Sequence, residues 1–373
     1  MSNPHRLESV EIRGFRAFDE LSIPNLADVN LIVGKNNIGK TSVLEALELY
    51  FSRGSRFKIL EFLNSRQEYS FRKRRGYVKD GPLALEALFY GRPDLITRTP
   101  YFTIGPINDH DSELAIDFVW LQELIEQPDT PIRYRALRGN DFESAPDVVA
   151  GFRIRFGSFE LLLPLERFER SSSLAAARSA ERTREVPVVY LASTGMSSEE
   201  IGRIWDTIAL TEDEEEVLSA LRTLFPDIEK LVLVQGPSSR GERILMAKLA
   251  YFSDPVPFKS LGEGVNHLLS VFLALIRTRG GVLLIDEVEN GIHYSVQAEL
   301  WHLIFRQAAQ WDTQVFATTH SWDCVEGFQV AALEAQQGQG RLFRLEGARD
   351  MVRVVSFEPH EIEIAKRENI EVR

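Results

Sequence analysis

A glycine-rich segment directly follows a run of apolar residues near the start of the chain. The run is Val29-Asn-Leu-Ile-Val33, and the segment is Gly34-Lys-Asn-Asn-Ile-Gly39-Lys40-Thr41. The apolar run predicts a buried strand, and the residues from Thr41 onward, Thr-Ser-Val-Leu-Glu-Ala-Leu-Glu-Leu, predict a helix. This is the G-x-x-x-x-G-K-T pattern of a phosphate-binding loop, in the strand–loop–helix setting that the pattern requires. The alternative is an ordinary glycine turn before a helix.

The residue types in this loop suit a nucleoside triphosphate such as ATP. Backbone N–H groups of a glycine turn hold phosphate oxygens, and the helix N-terminus adds partial positive charge. We expect Lys40 to reach the β- and γ-phosphates and the Thr41 hydroxyl to ligate Mg²⁺. The predicted nucleotide contacts in the loop are Gly34, Asn36, Asn37, Gly39, Lys40, Thr41 and Ser42.

Two carboxylates end a second apolar run, Val282-Leu-Leu-Ile285. A buried strand would deliver Asp286 and Glu287 to the carboxyl edge of a parallel sheet, where the sites of α/β proteins lie. We expect Asp286 to hold Mg²⁺ and Glu287 to orient or deprotonate the attacking water. The alternative is a pair of acids that merely terminates a strand. A third run, Val315-Phe-Ala-Thr-Thr319, delivers His320 to the same edge, where it can contact the γ-phosphate.

Length and composition limit the remaining choices. A chain of 373 residues predicts two domains, or one large α/β domain with an insertion. We expect halves of one core at 1–52 and 244–373, separated by an insertion at 53–243 that contributes part of the core sheet. No run reaches the roughly 18 apolar residues of a membrane span, no signal peptide is evident, and a single cysteine excludes an internal disulfide. These features predict a cytoplasmic protein that does not enter a membrane.

The charge is unevenly distributed. The net charge of −12 argues against a surface coated by nucleic acid, yet the segment 53–79 is basic and aromatic. Its run Arg72-Lys-Arg-Arg75 could contact DNA phosphates, with nearby aromatic rings stacking on bases. The alternative is a solvated face or a contact with an acidic surface.

The chain around these motifs reads as alternating strands and helices, which favours a parallel α/β sheet. Residues 7–15 and 21–23 predict an antiparallel hairpin beside that sheet. Within the insertion, residues 83–90, 114–120 and 152–156 have strand-like composition, and Ser171–Glu185 predicts a linker or an exposed helix.

One more glycine turn, Ser260-Leu-Gly262-Glu263-Gly264, precedes a predicted helix and makes a second anion site at a helix N-terminus. Its position before Asp286 resembles the signature motif of ABC-type ATPases. In that class the motif reaches the nucleotide of a second chain.

Taken together, the motifs resemble the ABC-type AAA ATPases of the OLD (overcoming lysogenization defect) and RecF-like group. The segments that carry the resemblance are Arg13-Gly-Phe15-Arg16-Ala-Phe18, Gly34–Ala46, Leu261–Gly264, Ile285–His293 and Thr318–Ser321. The resemblance implies a P-loop NTPase fold with ATP and Mg²⁺ as cofactors, and Glu287 as the catalytic base. It places Arg13, Arg16 and Phe18 near the nucleoside, and Glu289, Asn290 and His293 in a D-loop at a dimer contact. Ser260, Gly262, Glu263 and Gly264 would act in trans.

The resemblance also implies how the ATPase works. It predicts a homodimer, or a higher even-numbered homo-oligomer, that closes around ATP and acts on a separate effector, such as a Toprim-type nuclease in anti-phage defence. About 50 residues follow His320, which is too few for a nuclease domain. Two alternatives stay open: a RecF-like DNA-repair ATPase that binds DNA directly, and a nucleotide-dependent scaffold with negligible turnover. Glycine stands at Gly262 where the common signature has serine, and no glutamine loop can be placed.

Overall fold

The computed structural model describes residues 6–69, 83–95, 98–124, 133–137, 145–165, 186–236, 243–336, 338–348 and 351–368. The basic run at 72–75 and the predicted linker at 171–185 lie outside these ranges. The strands are, in chain order, β1 (Val10–Phe15), β2 (Phe18–Ile23), β3 (Val29–Gly34), β4 (Tyr101–Gly105), β5 (Leu114–Leu124), β6 (Arg133–Ala136), β7 (Val148–Phe156), β8 (Phe159–Pro164), β9 (Val188–Leu191), β10 (Ile228–Gln235), β11 (Arg243–Leu249), β12 (Val256–Pro257), β13 (Val282–Ile285), β14 (Gln314–Thr318), β15 (Gly340–Ala348) and β16 (Met351–Phe357). The α-helices are α1 (Lys40–Phe51), α2 (Arg56–Ser65), α3 (Ser198–Ile208), α4 (Glu212–Leu224), α5 (Glu263–Arg277), α6 (Gln297–Trp311), α7 (Trp322–Glu334) and α8 (Pro359–Arg367).

A core sheet of six strands has the order β16-β15-β3-β14-β13-β9. All of its pairings are parallel except that of β16 with β15. The short strands β3, β13 and β14 are buried on both faces, as their continuous apolar sequences predict. The parallel strands end at a single edge, so the loops after β3, β9, β13 and β14 come together there.

The two faces of the core sheet pack against different layers. Leu31, Leu283 and Ile285 face helices α5, α6 and α7 in one apolar cluster. Ile32 and Leu284 face helix α1 and the antiparallel strands in another. Successive residues of one strand thus serve opposite layers, because side chains alternate across a sheet. Helix α1 is enclosed between the core sheet and the antiparallel sheet, which holds its N-terminus in a defined place.

The predicted hairpin is part of a larger antiparallel sheet. Strands β1 and β2 pair as expected, and β1 also pairs with β4, so the sheet runs β2-β1-β4-β5-β7-β8 with β6 attached to β5. A third sheet, β10-β11-β12, packs with helices α3 and α4 before the signature segment. The α/β class with mixed sheets is therefore confirmed.

The strand predicted at residues 83–90 is wrong. Leu85–Leu88 form a 3-10 helix, flanked by single bridges at Leu83 and Phe89. The Leu-Glu-Ala-Leu sequence has strong helix formers and lacks the β-branched residues that favour strands. This turn puts the Leu88 carbonyl where it accepts the Arg16 main-chain N–H at 3.0 Å.

Among the described residues, no helix has the length and apolar character needed to cross a membrane.

Candidate nucleotide site

The glycine loop connects β3 to α1 through two left-handed residues. Asn37 has φ of 63° and Gly39 has φ of 111°. A Cβ on Gly39 would lie 2.5 Å from the Phe18 ring, so glycine is required there for space as well as for conformation. Lys40 begins α1, and its Nζ donates to the Gly34 carbonyl at 2.7 Å. Burial lowers the pKa of Lys40, while the negative charges of nearby acids, Asp286 foremost, oppose that effect.

Three hydroxyl groups surround the carboxylate of Asp286. Thr318 Oγ1 donates to Oδ1 at 2.5 Å, while Thr41 Oγ1 and the Tyr190 hydroxyl donate to Oδ2 at 3.0 and 3.3 Å. Burial raises the pKa of Tyr190, so its hydroxyl stays protonated and remains a donor. Side chains from strands β9 and β14 and from the start of helix α1 thus converge on one carboxylate at the end of β13.

This donor set fits a magnesium ion. Mg²⁺ prefers oxygen ligands and is usually held by one or two carboxylates together with water and substrate phosphates. Thr41 and Asp286 supply a hydroxyl and a carboxylate 3.0 Å apart. Within the described ranges no group of three or more His, Cys, Asp or Glu side chains is arranged to hold a metal by itself.

Glu287 follows Asp286 with a left-handed backbone, φ of 50°. A non-glycine residue in this region costs about 1–2 kcal/mol, and such strain occurs at functional sites. Its main-chain N–H donates to Thr318 Oγ1 at 2.9 Å, and 43% of its side chain is exposed. The twist turns the carboxylate away from the sheet and into the space beyond the loop.

His320 lies at the same edge, beside two acids. Its Nδ1 is 3.1 Å from Glu289 Oε1 and 3.9 Å from Glu287 Oε1. The main-chain N–H of His320 also donates to Glu289 Oε1, at 3.0 Å. Sequence reasoning anticipated His320 and Glu287 but not the contact of Glu289 with the histidine.

These groups line one cavity of about 800 Å³, here called the main cavity. One end is formed by Asn36, Asn37, Gly39, Lys40, Thr41, Ser42, Asp286, Glu287 and His320. The other end is formed by Arg16, Ala17, Arg66, Glu68, Ala87, Phe89 and Arg92. The first set thus combines two acids, Asp286 and Glu287, with the basic groups Lys40 and His320, and the second set is rich in arginine. The volume is enough for a triphosphate and its nucleoside.

The arginine-rich end was only partly predicted. Arg16 is 5% exposed and forms ion pairs with Glu45 at 2.9 Å and Glu68 at 3.1 Å. Arg66 donates to Glu45 at 2.7 Å, and Arg92 to Glu68 at 2.9 Å. Burial raises the pKa of Glu45, and the positive charges of Arg16 and Arg66 oppose that rise. Arg16 is far in sequence from Arg66, Glu68 and Arg92, and only the fold brings these residues together. No sequence motif therefore indicates that Arg66, Glu68 or Arg92 belongs to the cavity.

Two residues predicted near the nucleoside do not line the main cavity. Arg13 pairs with Glu11 at 2.9 Å and Glu20 at 3.6 Å, and it does not line the main cavity. Side chains alternate along β1, which separates Arg13 from the face of the sheet that packs on the core. Phe18 is 1% exposed and supports Gly39 from behind. Arg16 is the member of this group that lines the cavity.

The signature segment forms a separate, outward-facing turn. Gly262, with φ of 108°, is the residue before helix α5, and Asn266 Nδ2 donates to its carbonyl at 2.7 Å. Ser260 lines a second cavity of about 390 Å³ together with Lys259 and Asn266. In the described part of the chain, no residue from 260 to 264 lines the main cavity, and neither does any glutamine.

The predicted D-loop packs tightly on this turn. A Cβ on Gly264 would lie 2.1 Å from the Gly291 carbonyl, so the two backbones touch. Asn290 Nδ2 donates to the Ser193 carbonyl at 2.8 Å, and His293 Nδ1 is 2.8 Å from Ser295 Oγ. Glu289, by contrast, is 8% exposed and faces inward. Its Oε1 accepts the His320 main-chain N–H and lies 3.1 Å from the His320 ring.

Two family models match the chain around these sites. Residues 6–94 match a model described as an AAA ATPase domain, and residues 141–323 match a model of AAA domains that is named for AbiEii, the toxin of a type IV toxin–antitoxin system. The first match contains the glycine loop, and the second contains Asp286, Glu287 and His320. The chain is an ATPase. Its fold is that of an α/β P-loop ATPase.

Individual proteins are also similar. An ATP/GTP phosphatase of Helicobacter pylori is 23% identical over 362 residues, covering 86% of this chain and 86% of that protein. An uncharacterised protein of Methanocaldococcus jannaschii is 43% identical over 53 residues, or 14% of this chain and 24% of that one. Among solved structures, an SMC head bound to the C-winged helix domain of ScpA has a TM-score of 0.48 at 14% identity, covering 97% of this chain and 99% of that one. The SMC head domain from Thermotoga maritima has a TM-score of 0.43 at 13% identity, with 95% and 99% covered.

Proposed function

We propose that two copies of this ATPase close head to head around ATP, with Mg²⁺, and reopen on hydrolysis. Each nucleotide would lie between the main cavity of one copy and the Ser260–Gly264 turn of the other. The observation that carries this proposal is the separation of the two glycine turns: the signature turn faces outward and contributes nothing to the main cavity of its own chain. A second copy related by two-fold symmetry would complete both sites at once.

Within one site the residues divide the work. Lys40 and the loop N–H groups hold the phosphates, while Thr41 and Asp286 would hold Mg²⁺, which neutralises phosphate charge when bound. Glu287 accepts a proton from the water that attacks the γ-phosphorus. The bond to the attacking oxygen forms as the bond to the ADP oxygen breaks. In this proposal His320 contacts the γ-phosphate and Arg16 the nucleoside; both residues line the main cavity.

The dimer is tested by trapping it. Glu287→Gln removes the base while keeping the shape of the side chain, so we expect an ATP-bound dimer that elutes at twice the monomer mass on size exclusion with light scattering. A Glu287→Gln variant that stays monomeric with ATP would count against the proposal. Wild-type turnover above background also separates this proposal from a scaffold that binds ATP without hydrolysing it.

A mixing experiment tests the contribution in trans. Lys40→Ala disables the phosphate loop, and Gly262→Asp disables the signature turn with a charge that repels phosphate. Each variant alone should be inactive. In a 1:1 mixture half of the dimers are mixed, and each has one complete site, so about a quarter of wild-type activity should return. No recovery on mixing two variants that are each inactive would show that the signature turn acts within its own chain, whereas full activity of Gly262→Asp alone would show that the turn has no role.

The preferred nucleotide can be measured directly. The Helicobacter pylori relative is described as an ATP/GTP phosphatase. The hydrolysis rate of this chain should therefore be measured with both ATP and GTP. The ratio of kcat/KM for the two nucleotides gives the selectivity. Equal values would show that the arginine-rich end of the cavity recognises ribose and phosphate rather than the base.

We further propose an OLD-like role, in which the nucleotide state acts on a separately encoded effector such as a Toprim-type nuclease. A nuclease gene immediately next to this one, and stimulation of ATPase activity by its purified product, would support that role. The RecF-like alternative is favoured by the basic run Arg72-Lys-Arg-Arg75. It predicts ATP-dependent DNA binding that weakens steeply with salt and is lost when the run is changed to alanine.

A further inference from the structure

Two carboxylates approach one imidazole at the carboxyl edge of the core sheet. Glu289 Oε1 is 3.1 Å from His320 Nδ1, within hydrogen-bond distance, whereas Glu287 Oε1 is 3.9 Å away. The side chain of Glu289 is 7% exposed, while that of Glu287 is 43% exposed. The buried acid is therefore the nearer partner of the ring, at ion-pair distance, and the exposed acid remains accessible from the main cavity.

Glu289 contacts both the backbone and the ring of His320. The same oxygen, Oε1, accepts the main-chain N–H of His320 at 3.0 Å. Within the described part of the chain, His320 is the only basic side chain in ion-pair distance of Glu289, and Glu289 Oε2 makes no hydrogen bond. A buried carboxylate is costly unless it is paired and hydrogen-bonded. Its position here is explained by the histidine that it holds.

The backbone around Glu289 is itself fixed. The Val288 N–H donates to the Thr318 carbonyl at 3.1 Å, Asn290 N–H to Glu287 at 2.9 Å, and Ile292 N–H to Glu289 at 2.9 Å. The turn after β13 is thereby attached to the end of β14. Glu289 and His320 come from these two neighbouring strand ends, so their contact is set by rigid elements rather than by a free loop.

We propose that Glu289 is a positioning residue for ATP hydrolysis, acting through His320. It receives the Nδ1 proton, which fixes the ring so that Nε2 faces the cavity where the γ-phosphate would lie. By occupying Nδ1 it also keeps the imidazole from engaging Glu287, which stays available for the attacking water. Orientation of a functional histidine by a buried carboxylate is a general device of active sites. This inference rests on the roles proposed above for Glu287 and His320.

A double-mutant comparison tests the inference. We expect Glu289→Ala to lower kcat by about 10- to 100-fold, as loss of an orienting carboxylate commonly does, with KM for ATP changed less than about threefold. Because Glu289 acts through His320, the variant Glu289→Ala/His320→Ala should be no slower than His320→Ala alone. Glu289→Gln, whose amide oxygen can still accept both N–H groups, should retain more activity than Glu289→Ala.

The ring itself gives a readout that turnover does not. In protein labelled with ¹⁵N-histidine, with the His320 signal assigned by its loss in His320→Ala, the Nδ1 shift should be that of a protonated nitrogen. An unprotonated Nδ1 in the wild-type protein would overturn the proposal, as would losses that multiply in the double variant. Unchanged kcat in Glu289→Ala, where His320→Ala is impaired, would overturn this inference alone. Unchanged kcat in His320→Ala would instead remove the proposed role of the histidine.

The matched control is a second glutamate–histidine pair far from the cavity. His302 Nε2 lies 3.0 Å from Glu334 on the surface formed by helices α6 and α7. Glu334→Ala should leave kcat within about twofold of wild type, because surface substitutions away from a site have small effects. If Glu289→Ala proves unstable in thermal melts, Glu289→Gln carries the kinetic and NMR tests.

Discussion

The chain uses a glycine to begin two helices, and the two glycines have different surroundings. Gly39 precedes α1 and Gly262 precedes α5, with φ of 111° and 108°. Around Gly39, the space of a Cβ is already filled by the Phe18 ring at 2.5 Å and the Ala17 side chain at 3.1 Å. Around a Cβ added to Gly262, by contrast, no neighbouring atom would lie within 4 Å. One glycine is required by its own chain, and the other faces space that its own chain leaves open.

The difference teaches how a site can be divided between two copies. The α1 N-terminus shares the main cavity with Lys40, Asp286 and Glu287 of the same chain, which are the proposed phosphate cation, metal ligand and base. The α5 N-terminus offers N–H groups and an Asn266 side chain that stabilises the turn, with no acid–base group of the main cavity beside it. A helix N-terminus attracts anions in either setting. Only the first is equipped for hydrolysis.

The largest effect should come from removing the cation of the enclosed turn. Lys40→Ala should weaken ATP binding by at least about 100-fold, or about 3 kcal/mol, because a charge-assisted contact with phosphate is lost. The measurement is titration calorimetry. Lys35→Ala is the control, since Lys35 is an exposed residue of the same loop. Unchanged ATP affinity in Lys40→Ala would contradict the assignment of the loop.

The next largest effect is the difference in protein stability between alanine substitutions at the two glycines. Gly39→Ala should lower the free energy of unfolding by about 3 kcal/mol, since overpacking adds to an unfavourable backbone conformation. Gly262→Ala has open space and should cost about 1–2 kcal/mol from conformation alone. Urea unfolding measures both. Equal losses would mean that the crowding around Gly39 is relieved by a small movement of Phe18.

A smaller effect distinguishes two arginines. Arg66 lines the main cavity, so Arg66→Ala should raise KM for ATP by about tenfold, the value of one charge-assisted contact. Arg13 was predicted from the sequence to lie near the nucleoside, but it pairs with Glu11 and Glu20 outside the cavity. Arg13→Ala should therefore leave KM unchanged. The opposite ranking would restore the sequence-based prediction for Arg13.

The smallest effect concerns the far end of α1 and depends on pH. Burial raises the pKa of Glu48 to about 7, although Lys58 lies 2.6 Å away and opposes the rise. An unperturbed glutamate titrates near 4.5, so between these values the folded chain keeps a proton that the unfolded chain releases. Stability should therefore decrease as pH rises through this window.

Glu48→Gln tests that slope. Relative to wild type, the variant should gain about 1–2 kcal/mol in unfolding free energy between pH 5 and pH 8. Parallel stability curves for the two proteins would show that Lys58 keeps Glu48 ionised throughout. Helix α5 has no comparable buried acid along its length in the described structure. Its buried His267, whose pKa is lowered to about 4 by burial, should give the opposite slope, with stability rising as pH increases from about 4 to 6.5.

Residues that the sequence analysis grouped around the glycine loop do line the main cavity together, and each belongs to a short contiguous motif. Strands β13 and β14 lie within a residue of their predicted bounds, since apolar runs that end in polar residues mark buried strands. The arginine-rich end could not be predicted. Arg16, Arg66 and Arg92 belong to separate segments, and only the antiparallel sheet brings them together. The contact of Glu289 with His320 likewise requires two strand ends to be adjacent.

The close approach of Gly264 to Gly291 has a mechanical consequence. The backbone that follows Glu287 and the backbone that begins α5 touch with no side chain between them. A displacement of the segment that carries Glu287, the proposed catalytic base, would therefore be passed directly to the turn before α5. Whatever rests on that turn would respond to the chemistry in the neighbouring cavity of the same chain, and each copy would report its own hydrolysis to the other.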